Sequence, residues 1–241
     1  MGFFDSVISS VQEAVDDVVE PGTSDELQQV FQNLGADKVI AGIKEALALA
    51  IAEAIDITGK PGGFLQNDLI KIQLPPQMRP FTDTMRTAGF GNIVDEFELS
   101  MNRAAEESAP LALDVFVNAI RAMTVEDAEK IWRGTDKQAA TTYLDRNCSE
   151  HLTGAFAPKV TEAMDRNQVT KVFGDLIDQV EGIPFVAGIL KGVNLESYTV
   201  QQALIGLFKI MGEQEAKIRE DPAGTSSQLL HSVFSHQAFK Q

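Results

Sequence analysis

The stretch from Gly89 to Met123 constrains the fold of this chain most, because it carries the most sustained helical pattern in the sequence. Apolar residues recur in it at steps of three and four, which predicts a helix with one buried face. That face consists of Phe90, Ile93, Val94, Phe97, Met101, Ala104, Ala105, Leu111, Val115, Phe116, Ile120 and Met123. Pro110 has no backbone N–H donor, so the sequence predicts a kink or a break near Ser108.

The same spacing runs through most of the chain and predicts an all-α fold with about ten helices in a single compact domain. We expect this domain to cover residues 36–234, preceded by an amphipathic helix at residues 1–20. Its predicted helices include Ala36–Ile57, Met78–Ala88, Cys148–Asp165 with a bend at Pro158, Tyr198–Glu220, and helices that begin after a capping box at Thr124–Asp127 and at Asp136.

The predicted helix Tyr198–Glu220 divides into an apolar part and a charged end. Its inward-facing residues are expected to be Leu204, Leu207, Phe208 and Met211. Its last turns form a charged tail that contains Glu213, Glu215, Lys217, Arg219 and Glu220.

Residues 58–76 interrupt the helical pattern with a cluster of residues that oppose helix formation, namely Gly59, Pro61, Gly62 and Gly63. Residues 69–74 alternate apolar and polar side chains, which is typical of at most one short strand or hairpin. The glycines do not match a phosphate-binding loop, because no Gly-Lys-Ser/Thr leads into a helix. We therefore expect a structured excursion that packs on helices.

The charge and the cysteine content narrow the range of partners. Thirty-five acidic residues against 20 basic ones leave a formal net charge of −15, which repels polyanions, so we expect no nucleic-acid partner. A single cysteine, Cys148, excludes a disulfide within the chain, and three histidines supply little for a metal. We expect no metal and no cofactor. No apolar run reaches the roughly 18 residues of a spanning helix, which predicts no transmembrane segment.

The spacing of apolar residues at the start of the chain predicts an amphipathic helix whose polar face is acidic. Its apolar face is a predicted docking surface for a protein partner and consists of Phe3, Phe4, Val7, Ile8, Val11 and Val15. Gly2 and Ser6 fit the loose pattern for myristoylation, and we expect membrane association only if Gly2 is acylated. The predicted location is therefore cytoplasmic, with a peripheral membrane location as the alternative.

A polar cluster flanks the apolar face of the 89–123 stretch and consists of Glu98, Asn102, Arg103 and Glu106. Glu98, Asn102 and Glu106 share one line along the helix, and Arg103 stands about 100° around the axis. The cluster is a candidate ligand or partner site if the line faces a groove. The alternative is an internal hydrogen-bond and ion-pair network that fixes how Leu69–Pro76 docks on this helix.

No arrangement of residues in the sequence predicts catalysis. Cys148 and His151 lie three residues apart, but such a local pair is a weak signal for a nucleophile and its base. No Glu stands three residues before a histidine, as a di-iron helical bundle requires. A Gly-x-Ser-x-Gly turn and a dinucleotide-binding fingerprint are also absent from the sequence. We therefore assign no catalytic residues.

Short motifs follow one another along the body of the chain: Gly42–Leu47, Gly63–Leu65, Ile72–Pro75, Glu98–Glu106, Met123–Ala128, Gln201–Phe208 and Ile218–Thr225. In this order they resemble the bacterial family called domain of unknown function 4197. The resemblance implies a mostly helical fold and no established reaction or cofactor. It also implies relatives that are generally exported or lipid-anchored, whereas this chain has an acidic amphipathic helix in place of their signal segment.

These features together predict a non-enzymatic helical interaction module. It would act as an adaptor or structural component of a protein assembly, engaged partly through its N-terminal amphipathic helix. One alternative is a carrier for a lipid-like or other apolar ligand held between helices, suggested by the apolar segment from Phe185 to Val193 within the Gly-rich connector at residues 182–194 and by the helix faces that contain methionine. A second alternative is an enzyme of unknown class.

Overall fold

The computed structural model describes residues 36–79, 82, 86–133, 136–166, 171, 173–174, 192–221 and 233. The predicted N-terminal helix, with Gly2 and the docking face from Phe3 to Val15, lies outside these described residues. Residues 182–191 of the Gly-rich connector and residues 80–81 and 83–85 of the predicted helix Met78–Ala88 also lie outside them.

The fold is all-α, as predicted, and no strand occurs among the described residues. The described helices are α1 (Ala36–Gly59), α2 (Gly91–Ser108), α3 (Ala112–Ala122), α4 (Val125–Arg133), α5 (Ala139–Arg166) and α6 (Leu195–Glu220). The segment Arg86–Phe90, in which Gly89 has a non-helical backbone conformation, precedes α2, and a 3-10 turn, Ala109–Leu111, joins α2 to α3. The predicted total of about ten helices is not confirmed by the described part of the chain.

The helix ends follow from local chemistry. The predicted break near Ser108 is confirmed, because the 3-10 turn that contains Pro110 separates α2 from α3. The capping box before α4 is also confirmed: the Asp127 N–H donates to Thr124 Oγ1, and the Thr124 N–H donates to Asp127 Oδ2, both at 3.1 Å. Asn194 caps α6, since its Oδ1 accepts the Ser197 N–H at 2.8 Å.

One prediction of helix boundaries was wrong. The helices expected to begin at Asp136 and at Cys148 form the single helix α5, which continues through Pro158. No Gly or Pro stands between Tyr143 and Cys148, so nothing in that stretch ends the helix. Pro158 removes the hydrogen bond to the carbonyl of Gly154, and because Gly154 is exposed, water can take its place.

The chain divides into two compact units. The described parts of the first unit belong to residues 1–56, 112–150 and 208–241, and those of the second to residues 57–111 and 151–207. Helices α1, α5 and α6 contribute residues to both units. The prediction of one domain over residues 36–234 stays a prediction.

Each unit has its own apolar core. In the first unit, Phe116 of α3 and Phe208 of α6 meet edge to face, with ring centroids 5.7 Å apart. The buried face of α1 contributes Val39, Ile40, Ile43, Leu47, Ala50, Ile51 and Ala54 to this core. In the second unit, Phe97 of α2 and Phe173 meet edge to face at 5.5 Å, near buried Met101 on the same face of α2.

A helix that crosses a membrane needs about 20 consecutive, predominantly apolar residues. Within the described residues, no single helix combines the necessary length and apolar character. One pair that is bent at its junction, Gly91–Ala122 with Val125–Arg133, reaches the required length and composition together.

Candidate functional site

The candidate site of the second unit is the contact between α2 and residues 60–78, which we call the docked loop. The loop leaves the end of α1 in a sharp turn, where the Gly63 N–H donates to the Lys60 carbonyl at 2.8 Å. A Cβ atom on Gly63 would stand only 2.2 Å from the carbonyl oxygen of Ile57. Glycine is therefore required there by close approach of backbone to backbone.

Asn102 binds the middle of the docked loop through both functions of its side-chain amide. Its Oδ1 accepts the Ile72 N–H at 2.8 Å, and its Nδ2 donates to the Ile72 carbonyl, also at 2.8 Å. The second Nδ2 hydrogen goes to the Glu98 carbonyl at 2.6 Å. Asn102 is fully buried, and this pattern uses both of its donors and one acceptor position. The Asn102 amide thus makes the two backbone hydrogen bonds that a neighbouring strand would make with Ile72 in a sheet.

Glu106 binds the beginning of the same loop, one turn further along α2. Its Oε1 accepts the backbone N–H groups of Phe64 and Leu65, each at 3.1 Å. Glu106 is 5% exposed, and hydrogen bonds to a charged acceptor are about twice as strong as neutral ones. The carboxylate therefore supplies an acceptor to two consecutive N–H groups, of which that of Phe64 is buried and that of Leu65 is partly buried.

Glu98 and Arg103 complete the predicted cluster and behave differently from each other. Glu98 pairs with Lys71 of the docked loop at 3.4 Å, with both side chains partly exposed. Arg103 is exposed and pairs with no carboxylate among the described residues. The structure thus brings Glu98, Asn102 and Glu106 together on the docked loop and leaves Arg103 outside the contact.

The opposite side of the docked loop packs on α6. A Cβ atom on Gly206 would lie 2.5 Å from Phe64 Cε1 and 3.2 Å from Ile70 Cβ, so helix and loop touch without space for a side chain. Near the start of α6, the Tyr198 hydroxyl donates to the Gln73 carbonyl at 3.0 Å. The docked loop is therefore held by hydrogen bonds on the α2 side and mainly by apolar packing on the α6 side.

This geometry leaves the cluster few free groups for a ligand. The Asn102 amide and Glu106 Oε1 are occupied by loop backbone, and Glu98 is engaged by a loop lysine. Polar groups in such surroundings favour one arrangement of the chain over others, because each loses a partner if the loop moves.

A second buried carboxylate lies in the first unit, where the sequence predicted a charged tail. Glu215 Oε1 accepts the Ala140 N–H at 3.0 Å, and Oε2 accepts the Thr141 N–H and hydroxyl, both at 2.7 Å. Arg219 Nε donates to Glu215 Oε1 at 2.8 Å, and its Nη2 donates to the Ile131 carbonyl at 3.4 Å. Glu215 therefore caps α5 while Arg219 neutralises it and reaches α4.

The expectation that Glu215 and Arg219 belong to a charged tail was wrong in its implied exposure, because their side chains are only 3% and 2% exposed. A signal for this existed in the spacing. The steps from Leu204 through Phe208 and Met211 are four and three, and two further steps of four reach Glu215 and Arg219. The helical spacing therefore predicts that both residues are buried, whereas their charge suggests exposure to solvent.

Cys148 is the remaining candidate for chemistry. It is buried, and burial raises the pKa of its thiol to about 11, with the negative charge of Asp145 adding to the effect. A thiol in this state carries almost no thiolate at neutral pH, and the thiolate is the nucleophilic form. Among the described residues, no group of three or more His, Cys, Asp or Glu side chains is placed to hold a metal ion.

Among the described residues, large apolar side chains are exposed at three positions, all in the second unit. Leu69 of the docked loop is 56% exposed, Ile205 of α6 is 59% exposed, and Leu111 is 43% exposed. The first two are chain neighbours of Ile70 and Gly206, which approach each other closely. The exposed residues that precede Ile205 at steps of four, Ser197 and Gln201, carry no charge.

The contacts described above define an all-helical protein in which buried carboxylates on helices hold the backbone N–H groups of other segments. The chain belongs to the DUF4197 family, described as a protein of unknown function, whose family model matches residues 33–235. The resemblance seen in the sequence motifs is thereby confirmed. No curated protein and no solved structure matches the chain.

Proposed function

We propose that this protein is a non-enzymatic helical interaction module that binds another protein through an apolar surface of its second unit. The surface, which we call the Leu69–Ile205 surface, comprises Leu69 and Ile205 together with their uncharged neighbours Ser197, Gln201 and Gln73. The single observation that supports it is the exposure of two large apolar side chains on segments that pack together. The partner would present uncharged, apolar side chains of its own.

The chemistry of the surface favours a protein partner over an ionic ligand. Near Leu69 and Ile205 in the chain, the exposed residues Gln73, Ser197 and Gln201 carry no charge, although exposed Asp68 directly precedes Leu69. The centres of protein interfaces are depleted in charged residues, whereas their rims are polar. Gln73, Ser197 and Gln201 would supply the hydrogen-bonding groups that are usual in the polar rim of a protein interface.

The rigidity of the docked loop is a second supporting argument. Asn102 and Glu106 hold the loop by its backbone, so Leu69 is presented in one conformation rather than many. A surface that is ordered before binding loses less conformational entropy when a partner docks. In this proposal the polar cluster contributes to function indirectly, by ordering the loop.

The predicted N-terminal helix is the other part of the proposed interaction module. Its apolar face, from Phe3 to Val15, would engage the same protein assembly as the Leu69–Ile205 surface. Deletion of residues 2–20 should then shorten the partner list obtained by co-purification from the source cells, and an unchanged list would contradict this part of the proposal. The carrier and enzyme alternatives stay predictions without a described feature that favours them.

Photo-crosslinking tests the Leu69–Ile205 surface directly. A photoreactive amino acid replaces Gln201 in one variant and the exposed Asn118 of α3 in a matched control, and both proteins are irradiated in the source cells. We expect a discrete adduct of defined mass from position 201 and none of that mass from position 118.

A second substitution separates specific binding from random contact. Adding Ile205→Gln to the variant labelled at position 201 should reduce the adduct several-fold, because the apolar centre of the surface is lost. Adding Leu111→Gln, which changes another exposed apolar residue, should leave it unchanged. Adducts that are equal at positions 201 and 118, or insensitive to Ile205→Gln, would refute the proposal.

A further inference from the structure

The first unit contains a groove between α4 and the beginning of α5 that the proposed protein interaction does not use. Its volume is about 520 Å³, within the usual range for small-molecule sites. Asp127, Lys130 and Ile131 line it from one face of α4, and Thr142, Tyr143, Arg146 and Asn147 line it from one face of α5. Both helices therefore turn hydrogen-bonding side chains toward the same space.

The two carboxylates of the groove are already engaged in capping helices. Asp127 Oδ2 accepts the N–H and the hydroxyl of Thr124, at 3.1 and 2.7 Å. Asp136 Oδ1 accepts the Gln138 N–H at 2.9 Å, and its Oδ2 accepts the Thr142 hydroxyl at 3.5 Å. Their negative charge is thus partly neutralised by N–H and O–H donors within the protein.

The two cations of the groove, in contrast, retain donors for a ligand. Arg146 is exposed and forms no ion pair with any carboxylate in the described part of the chain. Lys130 pairs with Glu126 at 2.7 Å, but both side chains are about 70% exposed, such surface pairs contribute little, and the ammonium group has further N–H donors. One cation stands on each of the two helices that form the groove.

Tyr143 adds a polar group between them. Burial, followed by the charge of Asp127, raises the pKa of the Tyr143 hydroxyl above its usual value. The hydroxyl therefore remains protonated at neutral pH, and Tyr143 presents an aromatic ring and a hydroxyl that also interacts with Asp127, and not a third negative charge.

From this arrangement we propose that the groove binds a small organic oxyanion, a carboxylate or a phosphate ester, with the Arg146 guanidinium as its principal anchor. The planar fork of arginine matches two oxygens of either group, and Lys130 supplies a point charge from the other helix. The body of the ligand would lie on Ile131 and the Tyr143 ring. This site is independent of the Leu69–Ile205 surface, which belongs to the other unit.

Titration of the full-length chain with three matched probes tests the proposal. Phenyl phosphate, benzoate and uncharged benzamide are each added up to about 10 mM at constant ionic strength, a range that covers weak affinities. The amide signals of Lys130, Tyr143 and Arg146 are followed by NMR. We expect saturable shifts with phenyl phosphate, with benzoate or with both, and none with benzamide; the responding anion identifies the ligand as a phosphate ester or a carboxylic acid.

Two arginine variants test whether the anion binds in the groove. Arg146→Gln should weaken binding of the responding anion roughly tenfold or more, the usual cost of losing a charged hydrogen-bond donor. Arg121→Gln, at an exposed position of α3 outside the groove, should leave the affinity unchanged. Because Arg146 is exposed, its variant should fold normally, which circular dichroism verifies.

Three results would overturn the proposal. These are the absence of saturable shifts with both anions, equal shifts with benzamide, and equal weakening by Arg121→Gln and Arg146→Gln. The last result would show attraction of anions to positive charge in general, without a built site.

Discussion

Two buried glutamates hold backbone N–H groups in this protein, one in each unit, and they do so in different surroundings. Glu106 accepts the N–H groups of Phe64 and Leu65 in a loop, with no cation paired to it among the described residues. Glu215 accepts the N–H groups of Ala140 and Thr141 at a helix start and is paired with buried Arg219. The same chemical device thus orders a loop in one unit and begins a helix in the other.

The comparison shows how each carboxylate compensates the cost of leaving water. Glu106 accepts hydrogen bonds from two backbone N–H groups. Glu215 also accepts two backbone N–H groups, at the start of a helix, and in addition it binds the Thr141 hydroxyl and the Arg219 guanidinium. A buried ion pair contributes little net stability when intact, but removal of one partner leaves an uncompensated charge. We therefore expect the two sites to differ most when their partners are removed.

The largest effect is expected for Arg219→Met. This change leaves Glu215 buried without its cation and removes the bond to the Ile131 carbonyl, so it should lower the free energy of unfolding by about 3–5 kcal/mol. Urea denaturation monitored by circular dichroism measures the change. Lys217→Met, at an exposed position of the same helix, should stay within about 0.5 kcal/mol. Equal effects would show that the buried pair has no special role.

A smaller loss is expected for Glu106→Ala in the other unit. The substitution leaves the Phe64 and Leu65 N–H groups without an acceptor, at a combined cost of about 2–4 kcal/mol. Its neighbour Glu107 forms partly exposed pairs with Lys159 and Arg166, so Glu107→Ala should cost at most about 1 kcal/mol. If thermal denaturation gave the two alanine variants the same midpoint, the role assigned to Glu106 would be wrong.

The packing side of the docked loop is tested by Gly206→Ala, with an expected cost of about 1–3 kcal/mol, because the new methyl group would overlap Phe64. Gly154→Ala is the matched control, since no atom lies within 4 Å of its added Cβ. In an exposed helix this control should gain up to about 1 kcal/mol. A stabilising Gly206→Ala would mean that helix and loop are further apart than described.

The smallest effect, and one of opposite sign, is expected for Lys44→Met. Lys44 is 1% exposed, and burial lowers the pKa of its amine below the ordinary value of 10.5, with no carboxylate paired to it among the described residues. Burial of the Lys44 ammonium group therefore costs desolvation free energy, and no carboxylate among the described residues offsets this cost as Glu215 does for Arg219. Replacement of Lys44 by methionine should therefore raise the free energy of unfolding at neutral pH.

The pH dependence checks the sign of that prediction. Between the lowered folded pKa and 10.5, the unfolded chain binds the proton of Lys44 more tightly than the folded chain does. The stability of the wild type should therefore rise relative to Lys44→Met as the pH increases through this window, and the advantage of the variant should shrink. Denaturant titrations at several alkaline pH values measure the difference; an advantage that grew with pH would contradict the account.

Much of this architecture could be predicted from the sequence, for identifiable reasons. The steps of three and four place Phe97, Met101 and Phe116 on the buried face, and Pro110 has the effect that its missing N–H predicts. The common line of Asn102 and Glu106 follows from helix geometry alone. Local rules of this kind need no knowledge of distant segments.

The remainder depends on contacts that are distant in sequence. Asn102 and Glu106 bind backbone atoms 30 to 42 residues away, and no local pattern specifies which N–H groups will meet them. Glu215 and Arg219 were misread because charged residues suggest a solvated helix face, although their spacing continues the buried stripe. The groove beside Arg146 likewise depends on how α4 and α5 approach each other.

Amide hydrogen exchange tests most directly the central claim that the cluster on α2 holds the docked loop by its backbone. The account predicts that the N–H groups of Phe64, Leu65 and Ile72 are protected in the wild type. Glu106→Ala should release Phe64 and Leu65 preferentially, and Asn102→Ala should release Ile72. Rapid exchange of these three amides in the wild type, or equal protection in both variants, would contradict it.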